Sequence, residues 1–88
     1  MSDWQELKQN LNQAESLGTD VALAINDLWQ QAETLQETFG QVSPQLSNSM
    51  LVGAAAAQVE HVTILLQQLR GQGNEMAISL INVNHYYS

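Results

Sequence analysis

The stretch "LLQQLRGQGNEMAISL", residues 65–80, decides the fold. Apolar residues enter and leave it at helical spacing, yet Gly71, Gly73 and Asn74 stand in its middle. A helix that stops here makes the chain a set of three or four short helices. A helix that passes through makes it two long ones. The apolar positions Val52, Ala55, Val59, Val62, Leu66, Leu69, Gly73, Met76, Leu80, Val83 and Tyr87 step by three and four without losing phase across residues 70–74. A loop has no reason to keep count, so the spacing predicts one continuous helix with Gly73 on its inner stripe. The alternative is a kink or break at residues 17–20 and 71–74, because each glycine costs roughly 1 kcal/mol against alanine in a helix interior.

The first half of the chain has the same rhythm. Trp4, Leu7, Leu11, Ala14, Gly18, Val21, Ile25, Leu28, Ala32, Leu35 and Phe39 run through five heptads. Ser2 and Gln5 form a capping-box pattern at its start, with Asp3 and Glu6 suited to the positive helix end. Gly40 stands where a C-terminal cap belongs. Between the two runs, "GQVSPQLSN" (residues 40–48) is the one dense cluster of turn formers and holds the single proline. Ser43-Pro44 reads as a cap followed by the first helical position, and Ser47 as a second candidate cap. The expected fold is therefore all-α: an antiparallel two-helix hairpin, helices about 3–39 and 45–87, in one domain spanning residues 1–88.

Folding the two stripes together about this turn gives expected layers. Phe39 faces Val52, Ala32 faces Val59, Ile25 faces Leu66, Gly18 faces Gly73, Leu11 faces Leu80 and Trp4 faces Tyr87. The meeting of the two glycines implies a close approach of the backbones at mid-hairpin, and small residues elsewhere tend to oppose larger ones.

The back of the first helix is polar. The back of the second is not: Ala57, Ile64, Gly71 and Ile78 recur every seven residues, Ala54 and Ile81 widen the region, and Leu51 and Leu65 flank the inner stripe. Trp29 adds a patch beside the seam on the first helix. A two-helix hairpin cannot bury both faces of one helix, and exposed apolar surface of this kind marks an interface. We therefore expect Leu51, Ala54, Ala57, Ile64, Leu65, Gly71, Ile78, Ile81 and Trp29 to meet a protein partner, identical or different, in a four-helix or larger bundle.

Composition excludes several classes. Nine acids against two bases give a net charge of −7, and seven of the acids lie in the first 40 residues. Nucleic acid and anionic membrane surfaces need the opposite sign. No uninterrupted apolar run approaches the ~20 residues of a membrane span, so no membrane insertion is expected. The polar, acidic start "MSDWQELKQN" is unlike a cleavable signal peptide. With no cysteine there is neither a disulfide framework nor a thiolate metal site. His61 and His85 form no zinc-type pair, no phosphate-binding loop follows a strand, and Ser43, Ser47 and Ser49 lack a neighbouring base. No catalytic residue, cofactor or metal is expected, and the chain reads as a non-enzymatic binding module.

An acidic hairpin of this length, without cysteine or signal peptide, resembles the WXG-type ESX family of type VII secretion. It is similar in layout to the small helical partner proteins encoded beside LXG toxins. The resemblance covers most of the chain as layout. The turn "FGQVSPQLSNSM" carries no tryptophan, and Trp29-Gln30-Gln31 lies inside the first helix. The C-terminal "NHYYS" offers Tyr86 or Tyr87 as the tyrosine of an export signal, with no acid after them. The resemblance implies a targeting factor or chaperone. Such a protein binds the helical domain of a secreted toxin, resides in the bacterial cytoplasm and leaves with its partner by a route that reads no signal peptide. Two other binding roles stay open: an acidic helical immunity protein, and a structural homodimeric coiled-coil adaptor.

Overall fold

The computed structural model describes the backbone of Ser2–Ser88 and the side chains from Asp3 onward. Helix α1 spans Ser2–Val42, a single 3-10 turn covers Ser43–Gln45, and helix α2 spans Ser49–Tyr86. The two helices pack antiparallel into a rod of 69 × 16 × 16 Å. Both pass unbroken through their glycines, so the question posed by residues 65–80 is settled in favour of one continuous helix. The Ser2 half of the expected capping box lies outside the described side chains.

The turn departs from expectation. Gly40 does not cap α1: among the described residues no backbone φ is positive, and the helix runs on to Val42. Ser43-Pro44-Gln45 does not open α2 but extends the end of α1, with the Leu46 amide donating to the Ser43 carbonyl at 3.2 Å. Neither Ser43 nor Ser47 caps α2. Asn48 does, its Oδ1 accepting from the Leu51 amide at 3.1 Å. Proline suits the 3-10 turn because it lacks the N–H that a tighter turn leaves idle.

This longer first arm moves the apex of the hairpin along the chain and shifts the register by one heptad. Gly18 packs against Leu80 instead of Gly73, and Gly73 packs against Ala22 and Ile25. The expected Gly18/Gly73 layer is not formed. Each glycine still marks a close approach, but to a side chain of the other helix. A β-carbon placed on Gly73 lies 3.1 Å from Ile25 Cδ1 and 4.0 Å from Ala22 Cβ.

The inner stripe is also rotated. The heptad positions Leu11, Gly18, Ile25, Ala32 and Phe39 on α1, and Val52, Val59, Leu66, Gly73 and Leu80 on α2, are buried or half-buried as expected. Their expected companions are not. Leu7, Val21, Leu28 and Leu35, with Val62, Leu69, Met76 and Val83, are 38–52% exposed. The residues one place further along fill the seam in their stead: Lys8, Glu15, Ala22 and Trp29 on α1, and Thr63, Arg70, Ala77 and Asn84 on α2. Among the described residues, fully or nearly buried apolar side chains are confined to alanines (Ala22, Ala32, Ala77). Small residues let the helices approach closely, and the leucines of the central columns, Leu11, Leu66 and Leu80, are only half-buried between them.

The shifted register is directly testable, because the chain has no cysteine of its own. The 4.0 Å separation of β-carbons at positions 22 and 73 falls within the ~3.5–4.5 Å that a disulfide needs. The double variant Ala22→Cys/Gly73→Cys is expected to form an intramolecular disulfide on mild oxidation, and Gly18→Cys/Gly73→Cys to stay reduced, as read by thiol titration and non-reducing electrophoresis.

Candidate interaction surface

The seam has two sides of opposite character. On one side the polar companions meet. Asn84, nearly buried, donates from Nδ2 to Asn12 Oδ1 at 2.9 Å and to Glu15 Oε1 at 3.0 Å. Its Oδ1 accepts from Lys8 Nζ at 2.6 Å, and the same ammonium reaches the Asn84 carbonyl at 3.0 Å. One amide thus bridges a cation and a carboxylate, with both its N–H groups and its oxygen engaged. Further along, the Arg70 guanidinium stands 4.2 Å from the Trp29 ring centroid. That geometry suits a cation–π contact, while Trp29 Nε1 is buried without a partner. The buried Thr63 hydroxyl donates to the Val59 carbonyl at 2.8 Å; the Ala32 carbonyl, at 3.5 Å, is a marginal second acceptor.

The other side is apolar. Leu35 and Val62 line one shallow hollow together with Ala32 and Val59, which shows that both displaced stripes border the same face. This follows from antiparallel packing: residues three places after the central columns fall on one side of the hairpin in both helices, and residues four places after fall on the other. The result is a ribbon along the length of the hairpin, built from Leu7, Val21, Leu28 and Leu35 of α1 and Val62, Leu69, Met76 and Val83 of α2.

The residues expected at an interface divide between places. Leu51, Ala54, Ala57, Ile64, Leu65, Gly71, Ile78 and Ile81 are all exposed on α2. Ala57, Ile64, Gly71 and Ile78 form a rear column, separated from the ribbon by His61, Gln68, Glu75 and Asn82, whereas Leu51 and Leu65 stand on the ribbon's edge. Trp29 is set apart from all of them, half-buried in the seam under Arg70. Tyr86 closes α2 and Tyr87 caps it, their rings meeting edge to face at 4.9 Å. The ribbon itself, Asn84 and Arg70 escaped the sequence reading. The signal for the seam was the presence of two polar residues fourteen places apart (Arg70, Asn84) on the heptad column that alanine occupies midway between them (Ala77).

Among the described residues no group of three or more His, Asp or Glu side chains is placed to hold a metal ion. The expectation that no segment reaches membrane-spanning character is corrected: α2 is long and apolar enough by length and composition, and almost none of its most apolar stretch is buried within the hairpin. An uninterrupted-run criterion misses it because Glu60 and His61 divide the apolar stretch. Yet Glu60, Gln67 and Asn74 line one flank of the rear column, and His61, Gln68 and Glu75 the other. A helix carrying two polar columns suits a protein bundle better than surrounding lipid. No family model matches the chain, and neither the curated proteins nor the solved structures contain a match to it.

Replacing the bridging amide tests its weight. Asn84→Ala leaves Lys8, Asn12 and Glu15 facing one another in a partly buried seam without their common partner. The expected loss is about 1–3 kcal/mol of unfolding free energy in urea, with helical content retained.

Proposed function

We propose that the chain is a non-enzymatic helical binding module that completes the helical bundle of another protein. In its most specific form it is a targeting factor or chaperone for a toxin of the type VII secretion route. The observation that carries this is the two-sided apolarity of α2: its ribbon edge and its rear column are both exposed, and one hairpin has only one seam. The rear column is the partner's face in this reading. Ile64 and Ile78 are 46% and 56% exposed, on the side away from α1, and a partner helix laid along them removes two large aliphatic side chains from water. The family resemblance supplies the kind of partner, a long helical N-terminal domain.

The rival binding role, an acidic inhibitor of a basic toxin, places the contact on α1, where Asp20, Asp27 and Glu33 lie. Co-expression with the helical N-terminal domain of a candidate type VII toxin separates the two. Ile64→Glu and Ile78→Glu are expected to abolish the complex on size-exclusion chromatography, and charge reversal at Asp20, Asp27 and Glu33 to leave it intact at low and high salt. A complex that survives both isoleucine substitutions but dissolves on charge reversal assigns the contact to α1 instead.

A further inference from the structure

We propose that Arg70, held over the Trp29 ring, is the anchor for a carboxylate carried by the helical partner of this chain. The inference rests on the reading that a partner helix lies along Ile64 and Ile78, and it names the chemistry which that helix brings.

The first argument is the state of the guanidinium. The chain has nine acids and two bases, and Arg70 is its only arginine. Lys8, the other base, is engaged by Asn84. Arg70 is half-buried, with its guanidinium carbon 4.2 Å from the centroid of the Trp29 ring. Among the described residues the side-chain hydrogen bonds across the seam come from Lys8, Thr63 and Asn84; Arg70 donates none and pairs with no carboxylate. Its own helix supplies no acid, because its surface neighbours three and four places away are Leu66, Gln67, Gly73 and Asn74. Glu33, one turn beyond Trp29 on α1, is exposed and leaves the guanidinium unpaired. In a chain this acidic, the lone arginine is unpaired because of where it stands.

The second argument is geometry. The donors of a guanidinium lie in its plane, at its edge. One that sets its face against an indole keeps that edge for a planar acceptor, and a carboxylate matches it with two oxygens. The Trp29 indole N–H, part of the same ring system, is buried without a hydrogen-bond partner, whereas the Arg70 nitrogens are not shut away from water. Partial burial costs the cation some of its hydration, so it gains more from a counter-ion than a fully exposed arginine does.

The third argument is position. Only Gln67 and Asn74 stand between Arg70 and the rear column. In that column Gly71 separates Ile64 from Ile78, and a β-carbon placed on it meets nothing within 4 Å. A partner backbone therefore comes closest to α2 at Gly71, which is the level of Arg70. Glu60 and Glu75, further along this side of α2, repel an acid laid against them. The partner's carboxylate is tolerated at one level, so Arg70 sets the register of the two chains as well as binding them. A small free acid suits the place less well, because two helices side by side supply no third wall to enclose it.

The test has two arms, both on the full chain. In the first, the Trp29 indole N–H and the Arg70 side chain are followed by nuclear magnetic resonance during titration with sodium acetate, and with sodium chloride at equal ionic strength. Acetate is expected to shift both signals saturably and chloride to leave them in place. Arg70→Gln is expected to abolish the Trp29 response with circular dichroism unchanged. In the second arm the helical N-terminal domain of the candidate toxin is bound to the chain, and its Asp and Glu residues are neutralised one at a time. Arg70→Gln is expected to weaken the complex roughly tenfold, one of those neutralisations to weaken it as much, and the two together to cause no further loss. Should Arg70→Gln lose its helices, Arg70→Lys, which keeps the charge without the fork, takes its place with the same expected loss. Equal responses to acetate and chloride overturn the site. A saturable acetate response beside a complex indifferent to Arg70→Gln overturns the partner's acid and leaves a site for free carboxylates. A domain that does not bind the unsubstituted chain overturns the reading beneath the inference, and the partner's acid with it, while the acetate arm still decides the site.

Discussion

Two helices have one seam between them, and everything else about this chain depends on that. A helix side by side with a single neighbour hides about a third of its surface at most, so no apolar residue can be enclosed on all sides. Among the described residues no large side chain is fully buried, and the best-buried apolar residues are three alanines. A hairpin of 88 residues therefore lacks the interior from which small domains draw their stability. Its leucines, valines and isoleucines still occupy regular helical columns, which is how sequences encode burial. In the reading proposed above, a partner chain completes that burial.

What the seam does contain is instructive. Glycine and alanine draw the helices together at Gly18, Ala22, Gly73 and Ala77, and Asn84, Arg70, Thr63 and Lys8 supply directional contacts between them. Apolar contacts repeating every seven residues do not distinguish one register from another a heptad away. A polar group does, because it is satisfied only where its partners stand. A single buried asparagine commonly fixes register in coiled coils in this way, at some expense in stability. Asn84 occupies that place here, near the open end of the hairpin, where the turn exerts the least control.

The same degeneracy explains which parts of the fold were legible in the sequence. Helix type, continuity through "RGQGNE" and the antiparallel hairpin all follow from the phase of the apolar residues, and phase survives any heptad slip. Register does not. It was set by residues 40–48, whose local chemistry admits two constructions. Gly40 can cap a helix, but a glycine can equally continue one, and Ser43-Pro44 can open a helix or a 3-10 turn. An earlier stop puts the apex about half a heptad, and the register a whole heptad, out of place and turns Gly18 toward Gly73. The rotation of the stripe was hidden for a related reason. A three–four alternation leaves open on which side of the central column the companions lie, and preference for the larger apolar residue selected Val62, Leu69, Met76 and Val83. Close packing selected Thr63, Arg70, Ala77 and Asn84. At the candidate surface the consequence was selective. The rear column on Ile64 and Ile78 could be read from spacing alone, whereas the ribbon could not, because its residues had been assigned to the core.

That misassignment carries physical information. Consistency between pattern and burial is what makes a sequence specify one structure, and a sequence that appears to violate it usually satisfies it at a higher level of organisation. Eight large apolar residues held half-exposed along one face, beside a seam that admits alanine and asparagine, are inconsistent with an isolated hairpin and consistent with a bundle. The distribution of charge argues the same way. From Trp4 to Val42 and from Ser49 to Tyr86 the acids stand on columns away from the ribbon, with Asp3 at the start of its edge column the exception. The ribbon is thus the least charged face of the hairpin, and the one whose burial costs the least in desolvation and like-charge repulsion.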